Sequence, residues 1–466
     1  MNESINPTSR REFLKTTGRL AAASALAGMA VPCVHAQGSE TLRVALIGCG
    51  GRGTGAAANA MSVQGASLRL VAMADVFTEK LRSSYDALAH DYSNKMDVPD
   101  DHKFIGFDGY RHAMDCLKPG DIAIFTTPLA FRWVHFTYAI QKGLNVFMEK
   151  PLTADGPSSR KMLKLAEEAS AKNLKVAVGL MCRHTRSLQE LQQRIQDGQI
   201  GDVILMRGYR MQGPVASAFS EKWPGSPSEL LWQISRFHSF IWASGGCYSD
   251  FNIHHIDHLC WMKNAWPVKA QALGGRHYRK MPSGNLCVDQ NFDSYAVEYT
   301  FADGTKMYMD GRCMNGCNDI YASYAHGSKG MAVVAANGDF GNDMPSRIHA
   351  SQNPKRSNLL WESKVKSGEQ NPYVNEWNDL VDAIRNDKPY NEVPRGVQAS
   401  VATSMGRMAA HTGQEITFDD MLNHEDVYAP GVENFTMESP PPLRSDAQGL
   451  YPVPMPGIIT RHEYAM

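Results

Sequence analysis

The most restrictive feature of the sequence is a cluster of glycines between two apolar segments. The stretch "TLRVALIGCGGRGTGAAANAM", residues 41–61, reads as an apolar strand, a turn containing Gly48, Gly50, Gly51 and Gly53, and an alanine-rich helix. Glycines at this G-x-G-x-x-G spacing let the backbone turn tightly and approach a pyrophosphate, whose charge the N-terminus of the helix stabilises. The stretch therefore predicts a dinucleotide-binding unit.

An acidic residue closes the next apolar segment. Asp75 ends "LRLVAMAD", 22 residues after Gly53. A carboxylate at this place can accept hydrogen bonds from the adenosine ribose, and it repels a 2′-phosphate. The predicted cofactor is therefore NAD, with NADP less favoured.

Length and residue pattern predict two α/β domains. A chain of 466 residues, 43% hydrophobic and 20% charged, is too long for one average core. Up to about residue 174, short apolar strands alternate with amphipathic segments, as in βαβ units around a parallel sheet. Later, apolar and polar residues alternate between Gly and Asp turns, which indicates a mostly antiparallel sheet. We expect a dinucleotide-binding domain at 41–174, a substrate and oligomerisation domain at 175–420, and a Pro-rich extended surface tail at 421–466.

Residues 1–36 are typical of a twin-arginine export signal. Arg10 and Arg11 precede a short apolar run, and Val34-His35-Ala36 fits a peptidase site, with cleavage near Ala36. The apolar run is too short for an ordinary membrane span, and no later stretch resembles one. We therefore expect a substrate of the twin-arginine machinery whose mature form has no membrane span and is periplasmic or otherwise exported.

Composition bears on partners and on metals. The formal net charge is −1, and the Lys and Arg residues are too sparse to make the basic stripe that nucleic acid requires. Most of the nine cysteines sit in apolar or Gly-rich runs, so we expect buried thiols. Cys313 and Cys317 are a close pair without a second pair, which makes a zinc site a weak reading.

Two further stretches carry polar residues at the ends of apolar segments. They are "TTPLAFRWVHFTYAIQKGLNVFMEKP", with Thr127-Pro128, His135 to Ala139 and Glu149-Lys150-Pro151, and "GGCYSDFNIHHIDHLCWM", with Asp250, His254 and Asp257. Together they resemble the two signatures of the Gfo/Idh/MocA family of oxidoreductases, and the likeness spans roughly residues 42–320. The resemblance implies an N-terminal Rossmann-type domain and a C-terminal α/β domain with a large, mostly antiparallel open sheet. It also implies a homo-oligomer.

The resemblance also implies roles for single residues. In the family the lysine of Glu-Lys-Pro lies beside nicotinamide and substrate, and the histidine of the second signature acts as acid or base. These roles fall to Lys150 and His254, with Asp250 near the reacting hydroxyl. Such chemistry needs a group that takes the hydroxyl proton and a cation that stabilises the alkoxide. On a helix, Asp250 and His254 would lie one turn apart on one face.

Two sets of contacts follow from the motifs and the resemblance. The predicted cofactor contacts are Gly48, Gly50, Gly51, Arg52, Gly53, Asp75, Thr127, Pro128, His135, Glu149 and Lys150. The predicted substrate contacts are Arg183, His184, Tyr248, Asp250 and His254.

The second signature is unusually rich in histidine. His255 and His258 accompany His254, and Asn252 stands where the family usually has Gly. Asp250, His254 and His258 at helical spacing could in principle hold a divalent metal. Because the family's sites work without metal, we predict none, and whether His255 and His258 join the site is left open.

These features predict a periplasmic oxidoreductase that acts on a hydroxyl of a sugar, sugar derivative or cyclitol. Free NAD is scarce outside the inner membrane, so we expect a tightly held cofactor that is regenerated in each cycle. Two alternatives stay open. One is an NAD-dependent glycoside hydrolase that uses transient oxidation, and the other is a non-catalytic periplasmic sugar-binding protein.

Overall fold

The computed structural model describes residues 41–214, 216–277, 280, 283–336, 345–364, 368–369 and 371–465. The predicted export signal, residues 1–36, lies outside these residues. Within them, none of the helices combines the length and the apolar character that a membrane crossing requires.

The first sheet is a six-stranded parallel sheet near the N-terminus. Its strands are β1 (Leu42–Ile47), β2 (Leu68–Asp75), β3 (Lys103–Ile105), β4 (Ile122–Phe125), β5 (Asn145–Met148) and β6 (Val176–Val178). They lie in the order β3-β2-β1-β4-β5-β6. The central strands are buried on both faces, as near-continuous apolar runs in a parallel sheet should be.

Helices cover this sheet and connect its strands. They are α1 (Gly51–Ser62), α2 (Thr78–Tyr92), α3 (Gly109–Asp115), α4 (Arg132–Lys142) and α5 (Gly156–Ala171). The alternation of strands and helices confirms the predicted Rossmann-type architecture. Strand β6 joins this sheet just after the expected boundary at residue 174, and the three domain boundaries stay predictions.

The second sheet has nine strands. They are β7 (Val203–Gln212), β8 (Lys269–Gly275), β9 (Ser294–Thr300), β10 (Lys306–Cys313), β11 (Ile320–Gly327), β12 (Met331–Ala336), β13 (Arg347–His349), β14 (Leu359–Glu362) and β15 (Ile416–Thr417). Their order is β14-β13-β12-β11-β7-β10-β9-β8-β15. Only β7 and β10 pair in parallel among these strands. The mostly antiparallel open sheet predicted for the second domain is thereby confirmed.

Seven more α-helices follow β6 in the described part of the chain, and one of them, Pro372–Arg385, packs against the first sheet. They are α6 (Arg186–Gln196), α7 (Glu229–Ser235), α8 (Ile241–Ser244), α9 (Gly246–Lys263), α10 (Pro372–Arg385), α11 (Val393–Thr412) and α12 (Phe418–Asn423). Helices α9 and α11 pack against each other, and both contact the second sheet. Almost every side chain of α9 is buried, so this helix runs through the interior and carries the residues of the second signature there.

The C-terminal segment differs from the expected extended surface tail. Among its residues Tyr428, Tyr451, Glu463 and Tyr464 are buried. Glu463 forms a fully buried ion pair with Arg407 of α11, at 2.7 Å between Oε2 and Nη2. A proline-rich composition reports extended backbone, but it does not exclude burial when the side chains between the prolines are aromatic.

Arg407 connects this segment to two other parts of the chain. Its Nη1 donates to the carbonyl of Gly245 and to Ser249 Oγ, both at 2.9 Å. Its Nη2 donates to the carbonyl of Ala154 at 2.8 Å. One guanidinium therefore holds the start of α9 and the loop that follows Pro151, while Glu463 balances its charge.

Replacing Glu463 by Gln should leave Arg407 as a buried charge without its carboxylate. Loss of one partner of a buried pair costs about 3–5 kcal/mol, so we expect the free energy of unfolding to fall by roughly that amount. Denaturant unfolding of Glu463→Gln measures this loss, with Glu433→Gln on the exposed side of the same segment as control. Equal stability of the two variants would contradict the assigned role of the pair.

Candidate functional site

The glycine turn between β1 and α1 leaves an open cradle. Gly48 has φ of +95°, and a Cβ there would lie 2.8 Å from the backbone nitrogen of Thr127. A Cβ on Gly53 would lie 2.0 Å from the carbonyl oxygen of Gly48. Beside Gly50 and Gly51, in contrast, there is open space. Gly48 and Gly53 therefore let the helix and the strands come together, whereas Gly50 and Gly51 leave room for a ligand.

Helix α1 begins at this open space without a side-chain cap. Gly50 occupies the N-cap position and supplies no hydrogen-bonding side chain. The first amides of a helix lack partners within the helix and favour negative charge. The cradle therefore fits the pyrophosphate of a dinucleotide, as the motif predicts.

Asp75 ends β2 and lines the same cleft. Its Oδ2 accepts a hydrogen bond from the amide of Cys49 at 2.6 Å, and its Oδ1 accepts one from Phe77 at 2.9 Å. Burial raises the pKa of Asp75, and these amides oppose the rise. Each carboxylate oxygen keeps a second lone pair, so the side chain can still accept from ribose hydroxyls.

The Thr-Pro turn and His135 form another wall of this cleft. Thr127 and Pro128 follow β4, and Thr127 Oγ1 lies 3.3 Å from His135 Nδ1. The His135 ring packs against Tyr110 and Phe131. Burial, with the nearby charge of Arg132, lowers the pKa of His135 to about 3. This imidazole is therefore neutral and acts as a wall of the cleft.

The cofactor cleft opens into a cavity of about 530 Å³. Four residues line both spaces: Thr126, Thr127, Pro128 and Phe237. The cavity walls combine the end of the first sheet with a helix that packs on the second, because Glu149 and Lys150 follow β5 whereas Asp250 and His254 belong to α9. A ligand in the cleft and a second ligand in the cavity would therefore meet at the Thr-Pro turn.

Lys150 contacts Asp250 across this cavity. Lys150 Nζ donates to the backbone carbonyl of Asp250 at 2.8 Å and lies 3.4 Å from Asp250 Oδ1. Burial alone would raise the pKa of Asp250, but Lys150 and a hydrogen bond from His238 lower it to about 2. The structure thus brings together the predicted lysine and the predicted carboxylate as an ion pair.

His254 lines the cavity one helical turn after Asp250, as expected for residues on one face of α9. The side chain is buried. Burial, followed by the charges of Lys150 and Arg210, lowers the pKa of His254 well below its usual value. A neutral imidazole at neutral pH can accept a proton.

His238 is a cavity residue that the sequence analysis missed. Its Nε2 lies 3.4 Å from Asp250 Oδ2, and its Nδ1 lies 2.8 Å from Ser217 Oγ. The ring packs against Phe237 and Phe251. "SRFHSF" matches no motif and lies outside both signatures, so no pattern pointed to this residue. His238 is recognised as a cavity residue only from the three-dimensional structure, in which α9 places Asp250 beside it.

Arg52 links the glycine turn to Glu149, at the end of β5, and to α10. Its Nε donates to Glu149 Oε1 at 2.5 Å, and its Nη2 lies 3.7 Å from Glu376 Oε1 in α10. The guanidinium also lies over the Tyr373 ring, 4.7 Å from the centroid. Tyr373 and Glu376 come more than 300 residues after the turn, so the sequence carried no signal for this contact.

The structure brings all the predicted cofactor contacts to one place. Ten of them line the cleft or the cavity, and the eleventh, Gly53, packs beneath the turn. The cleft is lined by Gly48, Gly50, Asp75, Thr127, Pro128 and His135. The cavity is lined by Gly51, Arg52, Glu149 and Lys150.

Three predicted substrate contacts lie elsewhere. Arg183 donates to both carboxylate oxygens of Asp257, at 2.8–3.0 Å. His184 Nδ1 lies 2.7 Å from Asp379 Oδ2, and its Nε2 lies 3.3 Å from Glu392 Oε1. Tyr248 is buried against Tyr299, with the two hydroxyls 3.1 Å apart. Each polar group is held in an internal contact and none of the three lines the cavity, so their role as substrate contacts stays a prediction.

His255 and His258 also face the interior. His258 Nε2 lies 2.7 Å from Ser323 Oγ, and the His255 ring packs on Tyr321. Neither belongs to the residues that line the cavity. In the described part of the chain, three or more His, Cys, Asp or Glu side chains nowhere come together as metal ligands.

Sequence comparison finds a family model and several curated proteins that are similar to this chain. Residues 42–179 match the Gfo/Idh/MocA family model, described as an oxidoreductase family with an NAD-binding Rossmann fold. The inositol 2-dehydrogenase of Corynebacterium glutamicum is 25% identical over 101 residues, 22% of this chain and 29% of that protein. That of Arthrobacter sp. (strain FB24) is 25% identical over 209 residues, 43% and 53% of the two chains. The chain thus spans 29% to 53% of the length of these relatives.

Solved structures share the fold over a longer stretch. The myo-inositol 2-dehydrogenase of Lactobacillus plantarum has a TM-score of 0.58 at 22% identity, over 81% of this chain and 99% of that one. The aldose-aldose oxidoreductase of Caulobacter crescentus has a TM-score of 0.61 at 16% identity, over 81% and 100%. These likenesses show the fold alone. Residues 42–179 are therefore similar to the NAD-binding Rossmann fold of the Gfo/Idh/MocA oxidoreductases, and the solved structures agree with the architecture described above.

Proposed function

We propose that this protein is an exported NAD-dependent oxidoreductase that acts on a hydroxyl of a sugar, a sugar derivative or a cyclitol. One observation carries the proposal. Lys150 from the first sheet and Asp250 and His254 from α9 line one cavity, and that cavity opens into the cofactor cleft at Thr127 and Pro128. A substrate there would meet a cation, a carboxylate and a neutral imidazole beside the nucleotide.

The chain's own residues supply the proton chemistry. The glycine turn and Asp75 would hold NAD, which would supply the acceptor for a hydride from the substrate carbon. His254, kept neutral by burial, accepts the proton that the substrate hydroxyl loses. Lys150 stabilises the negative charge that grows on the substrate oxygen. Asp250 holds the Lys150 ammonium at 2.8 Å through its backbone carbonyl and keeps it aimed into the cavity.

The similar proteins support the substrate class. Two of them are inositol 2-dehydrogenases, and solved structures with this fold include a levoglucosan dehydrogenase complex with NADH and levoglucosan. Polyhydroxylated rings are thus the substrates of several relatives. The cavity of about 530 Å³ has room for one such ring.

Export and retention belong to the same proposal. The twin-arginine signal at residues 1–36 favours folding, and therefore NAD loading, before passage to the periplasm. Arg52 joins the glycine turn to Glu149 and lies over Tyr373 of α10, which would slow release of a bound nucleotide. We also expect a homo-oligomer, by analogy with the family.

His238 favours a second candidate function, the NAD-dependent glycoside hydrolase. Such an enzyme removes a C–H proton after transient oxidation and protonates the leaving oxygen. Two imidazoles, His238 and His254, line the same cavity, and they could divide these two proton transfers. The lysine of Glu-Lys-Pro, which is present here, favours the oxidoreductase.

The nucleotide content tests the proposal directly. The exported protein is purified without added nucleotide and denatured, and the released compounds are identified. Recovered NAD, with sugar-dependent appearance and loss of reduced-nicotinamide absorbance in the native protein, is the expected result. Release of a leaving group from an aryl glycoside without net redox would favour the hydrolase. An empty site that binds sugar would contradict both and favour a binding protein.

Lys150→Ala should abolish turnover while nucleotide remains bound. Loss of a charge-stabilising donor costs about 10²–10³ in kcat, whereas the cleft around Asp75 and the glycine turn is unchanged. Steady-state kinetics and nucleotide content measure the two effects, with Lys164→Ala on the exposed side of α5 as control. Full activity of the Lys150 variant would remove the lysine from the mechanism.

Asp75→Ala should weaken NAD binding by about tenfold or more, because it removes a charged acceptor for the ribose hydroxyls. The Asp75→Asn variant keeps an acceptor but loses the charge, so its affinity for NADP should rise relative to its affinity for NAD. Fluorescence titration of nucleotide-free protein measures both. Unchanged affinity for NAD in the alanine variant would mean that the ribose is held elsewhere.

The pH profile should reflect the lowered pKa of His254. A base with a lowered pKa stays deprotonated until the pH falls through that lower value. The acid-side loss of kcat/KM is therefore expected below about pH 6.5, the pKa of an unperturbed imidazole. Profiles of kcat/KM for the unmodified protein, with a stability check at each pH, would contradict this assignment if the loss centred at or above that value.

A further inference from the structure

His238 lies on the cavity wall and contacts Asp250 through one ring nitrogen and Ser217 through the other. Its Nε2 lies 3.4 Å from Asp250 Oδ2, and its Nδ1 lies 2.8 Å from Ser217 Oγ. The side chain is only 10% exposed, and the ring packs against Phe237 and Phe251. Both nitrogens therefore have polar partners, and the aromatic neighbours hold the ring in a defined orientation.

The partners of the two nitrogens determine which tautomer of this ring is present. Burial alone would raise the pKa of Asp250, but Lys150 and His238 lower it to about 2, so its carboxylate can only accept hydrogen bonds. The nitrogen that faces this carboxylate, Nε2, must therefore carry a hydrogen. In the neutral ring, Nδ1 is then the acceptor for the hydroxyl of Ser217. The backbone amide of His238 also donates to Ser217 Oγ, at 3.3 Å, and holds that hydroxyl beside the ring.

Asp250 is consequently held at both of its carboxylate oxygens. Oδ1 lies 3.4 Å from Lys150 Nζ, and Oδ2 lies 3.4 Å from His238 Nε2. Without the imidazole, the carboxylate would be free to turn, and the counter-charge of Lys150 would move with it. A displacement of about 1 Å near reacting atoms can cost on the order of 10²-fold in rate. The orientation of this carboxylate therefore bears on the chemistry of the lysine.

We propose that His238 is a positioning residue, whose Nε2–H holds the Asp250 carboxylate while Ser217 selects the tautomer that makes this contact. The inference rests on the proposed function, in which Lys150 stabilises charge on the substrate oxygen. Because both ring nitrogens have partners within the protein, His238 takes no part in proton transfer with the substrate. That transfer remains the role of His254.

Two polar substitutions separate the two contacts of the ring. The side-chain nitrogen of glutamine reaches the place of the imidazole Nε2, whereas that of asparagine reaches only the place of Nδ1. His238→Gln should retain at least about a third of kcat, whereas His238→Asn should lower kcat and kcat/KM together by about tenfold or more. Steady-state kinetics with the sugar or cyclitol that the unmodified protein turns over, on variants checked for bound NAD and for denaturant unfolding, measures both.

Each other outcome of this comparison overturns the inference. Equal losses in the two variants would mean that an imidazole itself is required, as the glycoside hydrolase would need. Equal retention would mean that the contact with Asp250 is dispensable, and a larger loss in His238→Gln would assign the effect to the Ser217 contact. Turnover that survives in His238→Asn would leave the proposed function intact. An unmodified protein that turns over no sugar or cyclitol would overturn the proposed function and this inference with it.

The tautomer can be observed without any turnover. Imidazole 15N shifts are recorded on histidine-labelled, NAD-loaded protein at about pH 8, where an unperturbed imidazole is neutral, and the signal missing from His238→Gln belongs to His238. The expected form is the Nε2–H tautomer, and Ser217→Ala should shift this signal. Ser235→Ala should leave it in place, because the Ser235 hydroxyl donates to the carbonyl of Trp232 within its own helix. The Nδ1–H tautomer, or an unchanged signal in Ser217→Ala, would overturn the inference.

Discussion

The buried pair between Arg407 and Glu463 is the interaction on which the candidate site depends. Arg407 donates to Ala154, which follows the Lys150 loop, and to Gly245 and Ser249 at the start of α9. Lys150 and His254 thus belong to elements that one guanidinium fixes relative to each other. Because a buried charge must be balanced, the C-terminal segment that carries Glu463 is part of the framework of the site.

Charge balance also describes the cavity itself. Arg52 with Glu149 and Lys150 with Asp250 form two pairs that link different parts of the chain. Such pairs cost desolvation, but they hold their members in defined places. Burial, followed by the positive charges of Lys150 and Arg210, lowers the pKa of His254 and keeps its imidazole neutral in this setting. Lys150, which pairs with Asp250, therefore also helps to keep the neighbouring base His254 neutral.

More of the fold than of the candidate site could be predicted from the sequence. Alternating apolar strands identified most of both sheets, and the glycine turn identified the cleft, because these patterns arise from local backbone requirements. The short strands β3, β13 and β14 lacked a periodic pattern. His238, Arg210 and Tyr373 reach the cavity through long-range packing, which leaves no local trace. Arg183 and His184 follow β6 as expected of pocket residues, yet Asp257 and Asp379 draw them into internal ion pairs.

The glycine turn separates two kinds of constraint within six residues. Gly53 has no room for a methyl group, since the carbonyl oxygen of Gly48 occupies that space. Gly50 and Gly51 face open space and have no positive φ, so the polypeptide itself would accept alanine at either position. The fold therefore requires glycine at positions 48 and 53, whereas only a bound pyrophosphate would require it at positions 50 and 51.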